Sequence, residues 1–348
     1  MENPGMRKLG TFGIYTFDFE HQPAALVRDS VQELEQRGWR AVWFPEVGGR
    51  EALTQAGYLL SSTERLHVVN GIAQIWQREA SATHAASVLL ADAYPGRHVL
   101  GLGFGGVRRP GVKPLAAMAE YLDELDTLTK ESPNPAPQTP LRRILAAYGP
   151  KMLALARDRS AGAHTYHVNT AHTAQAREIL GPDAFLGVEH PVLFEPDPDK
   201  ARAVAREHLG PYLNTPYNIA KFRRLGYSDD EMAHGGSDRL VDDLVFWGDV
   251  DAVADKLRAH VEAGADQVAV QVIGTEPGGF RDAALAAAGG GAARARRPGR
   301  VEQSRPRFGR APKGRGAVSI CGSAARARPA TMAPQPNDGT SRHFWRSA

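Results

Sequence analysis

The run Tyr148-Gly149-Pro150-Lys151-Met152 has the residue types and spacing best suited to holding a ligand. A short apolar segment, Ile144–Tyr148, stops at Gly149-Pro150, and Met152, Leu153, Leu155 and Ala156 then recur at helical spacing until Gly162. Proline suits a first helical turn, because its missing N–H removes nothing the helix needs. A helix that starts just past a strand aims free N–H groups and partial positive charge at the strand's end, and Lys151 adds a full charge. The chemistry is capture of a phosphate, although the same pattern also makes an ordinary α/β turn. A second run, Gly101-Leu102-Gly103-Phe104-Gly105-Gly106, satisfies the dinucleotide pattern G-x-G-x-x-G. That fingerprint must open a helix directly, and here Pro110, Gly111 and Pro114 follow. It also needs an acidic residue closing the next strand, whereas Asp123 falls inside a helical pattern. Gly103 and Gly105 are better read as letting the backbone approach a flat ring, or as a plain glycine turn.

Such stretches need a frame that gathers strand ends together. Strand-like segments fall at Leu9–Thr16, Ala41–Glu46, Leu66–Gln74, His98–Phe104, Ile144–Tyr148, Ala163–Asn169, Phe185–Phe194 and Asp266–Ile273, with helical patterns between them. Runs such as Val268–Ile273 are apolar on both faces, which points to an all-parallel sheet closed into a (β/α)8 TIM barrel, with an open doubly wound sheet as the alternative. In a barrel, function sits where strands end. Those ends are Thr16 to Asp18, Pro45-Glu46, Asn70 to Ala73, Gly103 to Gly106, Tyr148-Gly149, Asn169 to His172, Glu189-His190 and Gly274. They present glycine, a few carboxylates, aromatics and a helix N-terminus, which suit a flat phosphorylated cofactor. They show neither His and carboxylates at metal spacing nor a nucleophile motif, so no metal site is expected. Between Glu195 and Gly264 at least three helical patterns, Asp199–Leu209, Ser237–Phe246 and Asp251–Ala263, predict extra helices in the last crossover that cap the barrel or make a subunit contact, such as a homodimer.

Charge is unevenly spread. From Arg281 on there are 14 Lys and Arg against 3 Asp and Glu, whereas the residues before it carry 28 against 36. An acidic body argues against a nucleic-acid enzyme, whose groove needs clustered Lys and Arg. The lone cysteine, Cys321, lies in the basic tail and excludes a disulfide within the chain. With no signal-peptide pattern and no membrane-length apolar run, a soluble cytoplasmic protein is expected. The boundaries are a barrel domain over 7–277 and a low-complexity basic tail over 278–348, expected to be disordered. The tail's abrupt change of character suggests out-of-frame translation or a fusion scar, the alternative being a natural basic tail.

The stretches LVRDSVQELEQRGWRAVWFPE, VVNGIAQIWQREASATHAASVLLADAYPGRHVLGLGFG, ILAAYGPKMLALARDRSAGAHTYHVNTAHT and DLVFWGDVDAVADKLRAHVEAGADQVAVQVI resemble, in order and spacing, the luciferase-like monooxygenase superfamily. Within it they resemble the oxidoreductases that use the deazaflavin coenzyme F420. The resemblance implies a luciferase-like barrel that transfers a hydride between F420 and a small organic substrate. It implies a non-proline cis peptide at Asn70-Gly71 or Gly71-Ile72 behind the ring, with Gly103 and Gly105 lining ring and ribityl chain. Tyr148, Gly149 and the N–H groups of Lys151 and Met152 would take the phosphate. Glu46 stands where relatives place a polar residue near the reacting ring, which makes it the first candidate for moving the proton, with His172 and then His190 behind it. Where some relatives carry an acid or histidine after the fourth strand, this chain has Gly105, Gly106 and Val107, followed by a short loop in place of a large lid. The alternatives are an FMN-dependent monooxygenase on the same barrel, and a non-catalytic protein, either a barrel that has lost its chemistry or a module whose basic tail binds nucleic acid electrostatically.

Overall fold

The computed structural model describes residues 6–106, 109–132 and 137–274, and within them the alternation of strand and helix closes on itself. The strands are β1 (Phe12–Tyr15), β2 (Ala41–Phe44), β3 (His67–Asn70), β4 (Ala73–Gln74), β5 (His98–Gly103), β6 (Arg143–Ala146), β7 (Gly162–Thr165), β8 (Phe185–Leu193), β9 (Phe246–Trp247) and β10 (Gln267–Val272). They run parallel in the order β1-β2-β3-β5-β6-β7-β8-β10, and β10 pairs with both β8 and β1, so the sheet is a closed eight-stranded TIM barrel. β4 continues the line of β3 and pairs with β5, while β9 adds to the end of β8.

Alternation along each strand builds two cores. Tyr15, Trp43, Val69, Val99, Ile144, Phe185 and Ala269 fill the barrel's interior, while neighbours such as Ile14, Val42, Val68, Leu145, Val188 and Val268 face the surrounding helices. Those helices are α1 (Ala24–Gln36), α2 (Ala52–Ser61), α3 (Ala80–Ala93), α4 (Pro114–Glu131), α5 (Pro150–Arg159) and α6 (Thr170–Leu180). In α1 the buried residues Val27, Val31 and Leu34 recur at helical spacing, and Gly38 follows its end with a positive φ.

The last crossover carries α7 (Pro198–Leu213), α8 (Pro216–Arg224), α9 (Asp229–Met232), α10 (Asp238–Leu244) and α11 (Val250–Glu262). This segment has a core of its own around Leu209, Phe222, Tyr227, Leu240 and Leu244. Its α8 lies over the ends of β6 and β7, because Lys221 donates to the Tyr166 carbonyl and Arg224 reaches the Tyr148 hydroxyl. The extra helices therefore cap the mouth. No described helix is long and apolar enough to cross a membrane. The chain beyond Gly274, with the basic tail and Cys321, lies outside the described residues.

Candidate functional site

The end of β3 is where the barrel departs most from regular geometry. The Gly71–Ile72 peptide is cis, and the Tyr15 hydroxyl, crossing from β1, donates to the Gly71 carbonyl at 2.6 Å. A Cβ on Gly71 would lie 2.9 Å from the Tyr15 ring and 3.2 Å from Trp43, so only glycine fits. Glu46, at the end of β2, ties the bulge to its surroundings. It accepts from the N–H of Gln74 at 2.7 Å and of Ala52 at 3.1 Å, and it forms a buried ion pair with Arg78. Arg78 in turn contacts Glu51, the N-cap of α2, at 2.9 Å. Its guanidinium thus links two carboxylates of the protein.

Several sequence assignments change at this bulge. Asn70 turns its side chain away from the lumen, donating to the Ala52 carbonyl at 3.3 Å and bonding His98 at 2.9 Å, so only its backbone belongs to the bulge. Gly103 packs closely beneath the bulge, since a Cβ there would meet Ile72 at 2.8 Å and Ala146 at 2.9 Å. Gly105 adopts a positive φ beneath the Gln74 amide, which a Cβ would approach to 2.7 Å. Both glycines are explained by close packing of the protein on itself, with Ile72 and Gln74 above them. No helix follows directly, for α4 begins only at Pro114.

The turn between β6 and α5 is open. Gly149 is the N-cap of α5, and the one atom near a Cβ placed on it would be an Arg224 guanidinium nitrogen at 3.6 Å. Lys151 is exposed on the first turn. The Met152 N–H already bonds to the Gly149 carbonyl at 3.0 Å, so the expectation that it binds a phosphate does not hold, and the N–H of Lys151 is left for that purpose. Tyr148 packs its ring edge-on against Tyr217 at 5.5 Å, and its carbonyl accepts from His172 Nε2 at 2.7 Å. His172, on the first turn of α6, therefore braces the turn from behind. His172 and His190, the further candidates for moving the proton, are both buried. His190 lies outside the barrel wall, stacked on Phe246 and bonded to His260 at 3.0 Å.

On the opposite side of the lumen is a group of buried polar side chains. Glu189 on β8 is fully buried, and its Oε2 accepts from the His167 N–H at 3.2 Å, an approach made possible by the positive φ of His167. Its other oxygen, Oε1, has no partner among the described residues. Burial pushes the Glu189 carboxyl up to about 8. Lys221 enters from α8 and donates to the Tyr166 carbonyl at 3.2 Å, and burial pulls its ammonium down to about 7. Around them, the hydroxyls of Tyr166 and Tyr212 are 2.8 Å apart, and His167 and His208 share a hydrogen bond of 3.1 Å. Burial holds His208 down at about 4 and His167 well below its ordinary value, so both imidazoles are neutral.

The sequence placed Glu189 at a strand end without a role and left Lys221, Arg224 and Tyr15 unremarked. Signals for some of these existed. Glu189 is the one acidic residue inside a nine-residue strand that is buried throughout. Lys221 and Arg224 lie on a helix announced by Thr215-Pro216 and closed by Gly226. The partner of Tyr15 is 56 residues away and had no local mark.

Comparisons with known proteins agree with this architecture. The family model described as Luciferase-like monooxygenase matches residues 8–267. A Mycobacterium tuberculosis protein named as a candidate coenzyme F420-dependent oxidoreductase, Rv3520c, is 26% identical over 316 residues, covering 72% of this chain and 91% of its own. The coenzyme F420-dependent tetrahydromethanopterin reductase of Methanopyrus kandleri superposes with a TM-score of 0.61 at 15% identity, over 80% of this chain and 97% of that one. The oxygenating constituent of 3,6-diketocamphane monooxygenase from Pseudomonas putida, solved with FMN, gives 0.56 at 17% identity, over 80% of this chain and 96% of its own.

Proposed function

The chain belongs to the luciferase-like monooxygenase family, and on that premise we propose that this oxidoreductase is F420-dependent and moves a hydride between the deazaflavin and a small organic substrate. The observation that carries the proposal is the open turn at Gly149. There a helix N-terminus, the exposed Lys151 and the Arg224 guanidinium meet at a half-buried turn where a Cβ on Gly149 would have only Arg224 near it. Such a donor set fits an anion that reaches out toward solvent, and F420 carries carboxylates beyond its phosphate where FMN ends. The similarity to a relative named for F420 supports the same choice.

The deazaflavin, when bound, supplies the carbon that gives or takes the hydride. The protein's part is position. Tyr15 and Glu46 hold the Gly71–Ile72 bulge from its two sides as a fixed support for a flat ring. His172 sets the Tyr148 carbonyl and with it the entry to α5. With both oxygens of Glu46 engaged and the Nε2 of His172 donating to backbone, we read the two as positioning residues, not as the proton carriers first assigned.

Fluorescence titration of the purified full chain tests the cofactor. F420 is expected to bind with a Kd well below that of FMN. Tight FMN binding without F420 binding would make the protein an FMN enzyme, and binding of neither would favour a non-catalytic barrel.

A further inference from the structure

We propose that the paired imidazoles of His167 and His208 form an acid-sensitive clasp: two protons taken up there break their hydrogen bond and release the capping helices α7 and α8 from the barrel mouth. The inference needs no cofactor and holds whatever ligand the mouth admits. It starts from where the contacts of the crossover segment fall. The segment's apolar core meets the strands at Leu193, the last residue of β8, and at Ile273, just past β10. Both lie where the segment is rooted, since β8 and β10 are neighbours and the segment runs between them in the chain.

On the far side of β8 is β7, and here the contacts are mainly polar. They gather in residues 166–169, the link from β7 to α6. The Tyr166 and Tyr212 hydroxyls are bonded at 2.8 Å, and the Tyr166 carbonyl accepts from Lys221 at 3.2 Å. His167 Nε2 and His208 Nε2 share one hydrogen bond of 3.1 Å, and the His167 ring stands edge-on to the Tyr212 ring at 4.3 Å. Asn169 donates to the Leu225 carbonyl at 3.4 Å and to the Tyr227 hydroxyl at 3.2 Å. In an extended link successive side chains turn opposite ways, but the positive φ of His167 breaks that alternation, and Tyr166 and His167 both meet α7. Backbone of this kind persists where its neighbours fix it. Leu225, half-buried against both cores, adds apolar contact on this side. The segment is thus hinged on apolar packing at one edge and clasped by hydrogen bonds at the other.

The clasp has a limited capacity for protons. Two neutral imidazoles carry two protons on four ring nitrogens, so one Nε2 donates and the other accepts. A third proton leaves one lone pair, and the bond survives. A fourth removes the last acceptor and sets two like charges 3.1 Å apart. The titratable groups that face the pair are Tyr166 from the end of β7, Tyr212 from α7, Lys221 from α8, and Glu189 and His190 from β8. Of these, Lys221 adds to the positive charge in acid, and burial keeps the Glu189 carboxyl protonated up to about 8. While the clasp is shut, burial holds His208 down at about 4 and His167 well below its ordinary value. Once α7 lifts, both rings meet water and return to about 6.5. The lifted state then binds more protons, so the clasp's contribution to docking is full above about pH 6.5 and is lost as pH falls toward 4, each ring weakening it by up to about tenfold per pH unit.

Hydrogen–deuterium exchange followed by mass spectrometry on the full chain tests this, with rates corrected for the intrinsic chemistry at each pH. The variants are His208→Gln, whose amide can still bond His167 but takes no proton, and Tyr212→Phe, which loosens the same contact without touching the imidazoles. Amides of α7 and α8 are expected to exchange before those of β2 and β3 at every pH. Between pH 7.5 and 5.5 their exchange should rise about tenfold more in the wild type than in His208→Gln. Lys221 and Glu189 also titrate in this range, but both proteins contain them, so their effect cancels in the comparison. Tyr212→Phe should exchange faster at every pH with the wild-type response to acid. His208→Phe, which can neither bond nor titrate, serves in place of His208→Gln if that variant fails to fold by circular dichroism. The proposal is overturned if the wild type and the His208 variant respond alike to acid, or if α7 and α8 take up label together with the strands.

Discussion

Tyr15 and Glu46 show how single side chains can serve a site without taking part in its chemistry. The Tyr15 hydroxyl satisfies the Gly71 carbonyl inside the barrel, where water is excluded. Tyr15→Phe should cost about 1 kcal/mol of stability by denaturant unfolding and weaken cofactor binding, because the bulge loses its brace. Unaltered affinity would mean that the bulge holds its shape unaided. Glu46→Gln leaves the buried Arg78 with Glu51, which is half exposed, as its carboxylate partner, so a loss of up to about 3 kcal/mol is expected. A variant of full stability that had lost turnover would return Glu46 to the role of proton carrier. The position of Glu46 was legible in the sequence as the polar end of an apolar strand. Its task was not, because the partners that fix it, Gln74 and Arg78, arrive from the far side of β3.

Among the elements, α5 could be read in advance and α8 could not. Proline at the first turn and apolar residues at helical spacing defined α5, and Gly149 opens it as expected. On the cofactor assignment, Lys151→Ala should weaken F420 binding by about ten- to a hundred-fold, which is roughly what one charge-assisted hydrogen bond contributes. Gly149→Val should weaken it further while leaving the fold intact, since a Cβ there has only the Arg224 side chain near it. A fragment lacking the phosphate should bind the wild type and both variants alike. Equal losses for fragment and whole cofactor would mean that the turn shapes the barrel and holds no phosphate. The helix α8 has only nine residues, and its two mouth-facing cations, Lys221 and Arg224, look in sequence like an ordinary basic surface. Their meaning depends on the 55 and 76 residues separating them from Tyr166 and Tyr148.

At the scale of the whole molecule, eight short strand segments separated by helical patterns, with runs apolar on both faces, were enough to point to the barrel. What they could not show was how much titratable chemistry its cores enclose. Burial holds His98, His164, His208 and His260 at about 4, and His167 and His190 well below their ordinary value. The unfolded chain returns each to about 6.5. Between those values the unfolded state binds more protons, so stability that is full above pH 6.5 is lost as pH falls toward 4. At about 1.4 kcal/mol for each pKa unit, the four groups held at about 4 are together comparable with the about 5–15 kcal/mol of a typical domain, and His167 and His190 act in the same direction. Thermal melts from pH 7 downward should therefore show a steep fall, with unfolding at room temperature before pH 4. A melting temperature that is the same at pH 6.5 and 4.5 would show that the folded protein admits these protons.

The crossover segment's separate core has a consequence for how such an enzyme diversifies. Leu209, Phe222, Leu240 and Leu244 pack mainly on one another and meet the barrel at Leu193 and Ile273, and α8 places Lys221 over the end of β7 and Arg224 over the end of neighbouring β6. The two cations are three residues apart, within one helical turn. A substitution or a one-residue slip in that turn changes what the lumen accepts and what the rim grips together, leaving the strands untouched. New ligands can thus be tried on a short insert while the eight strands keep their packing.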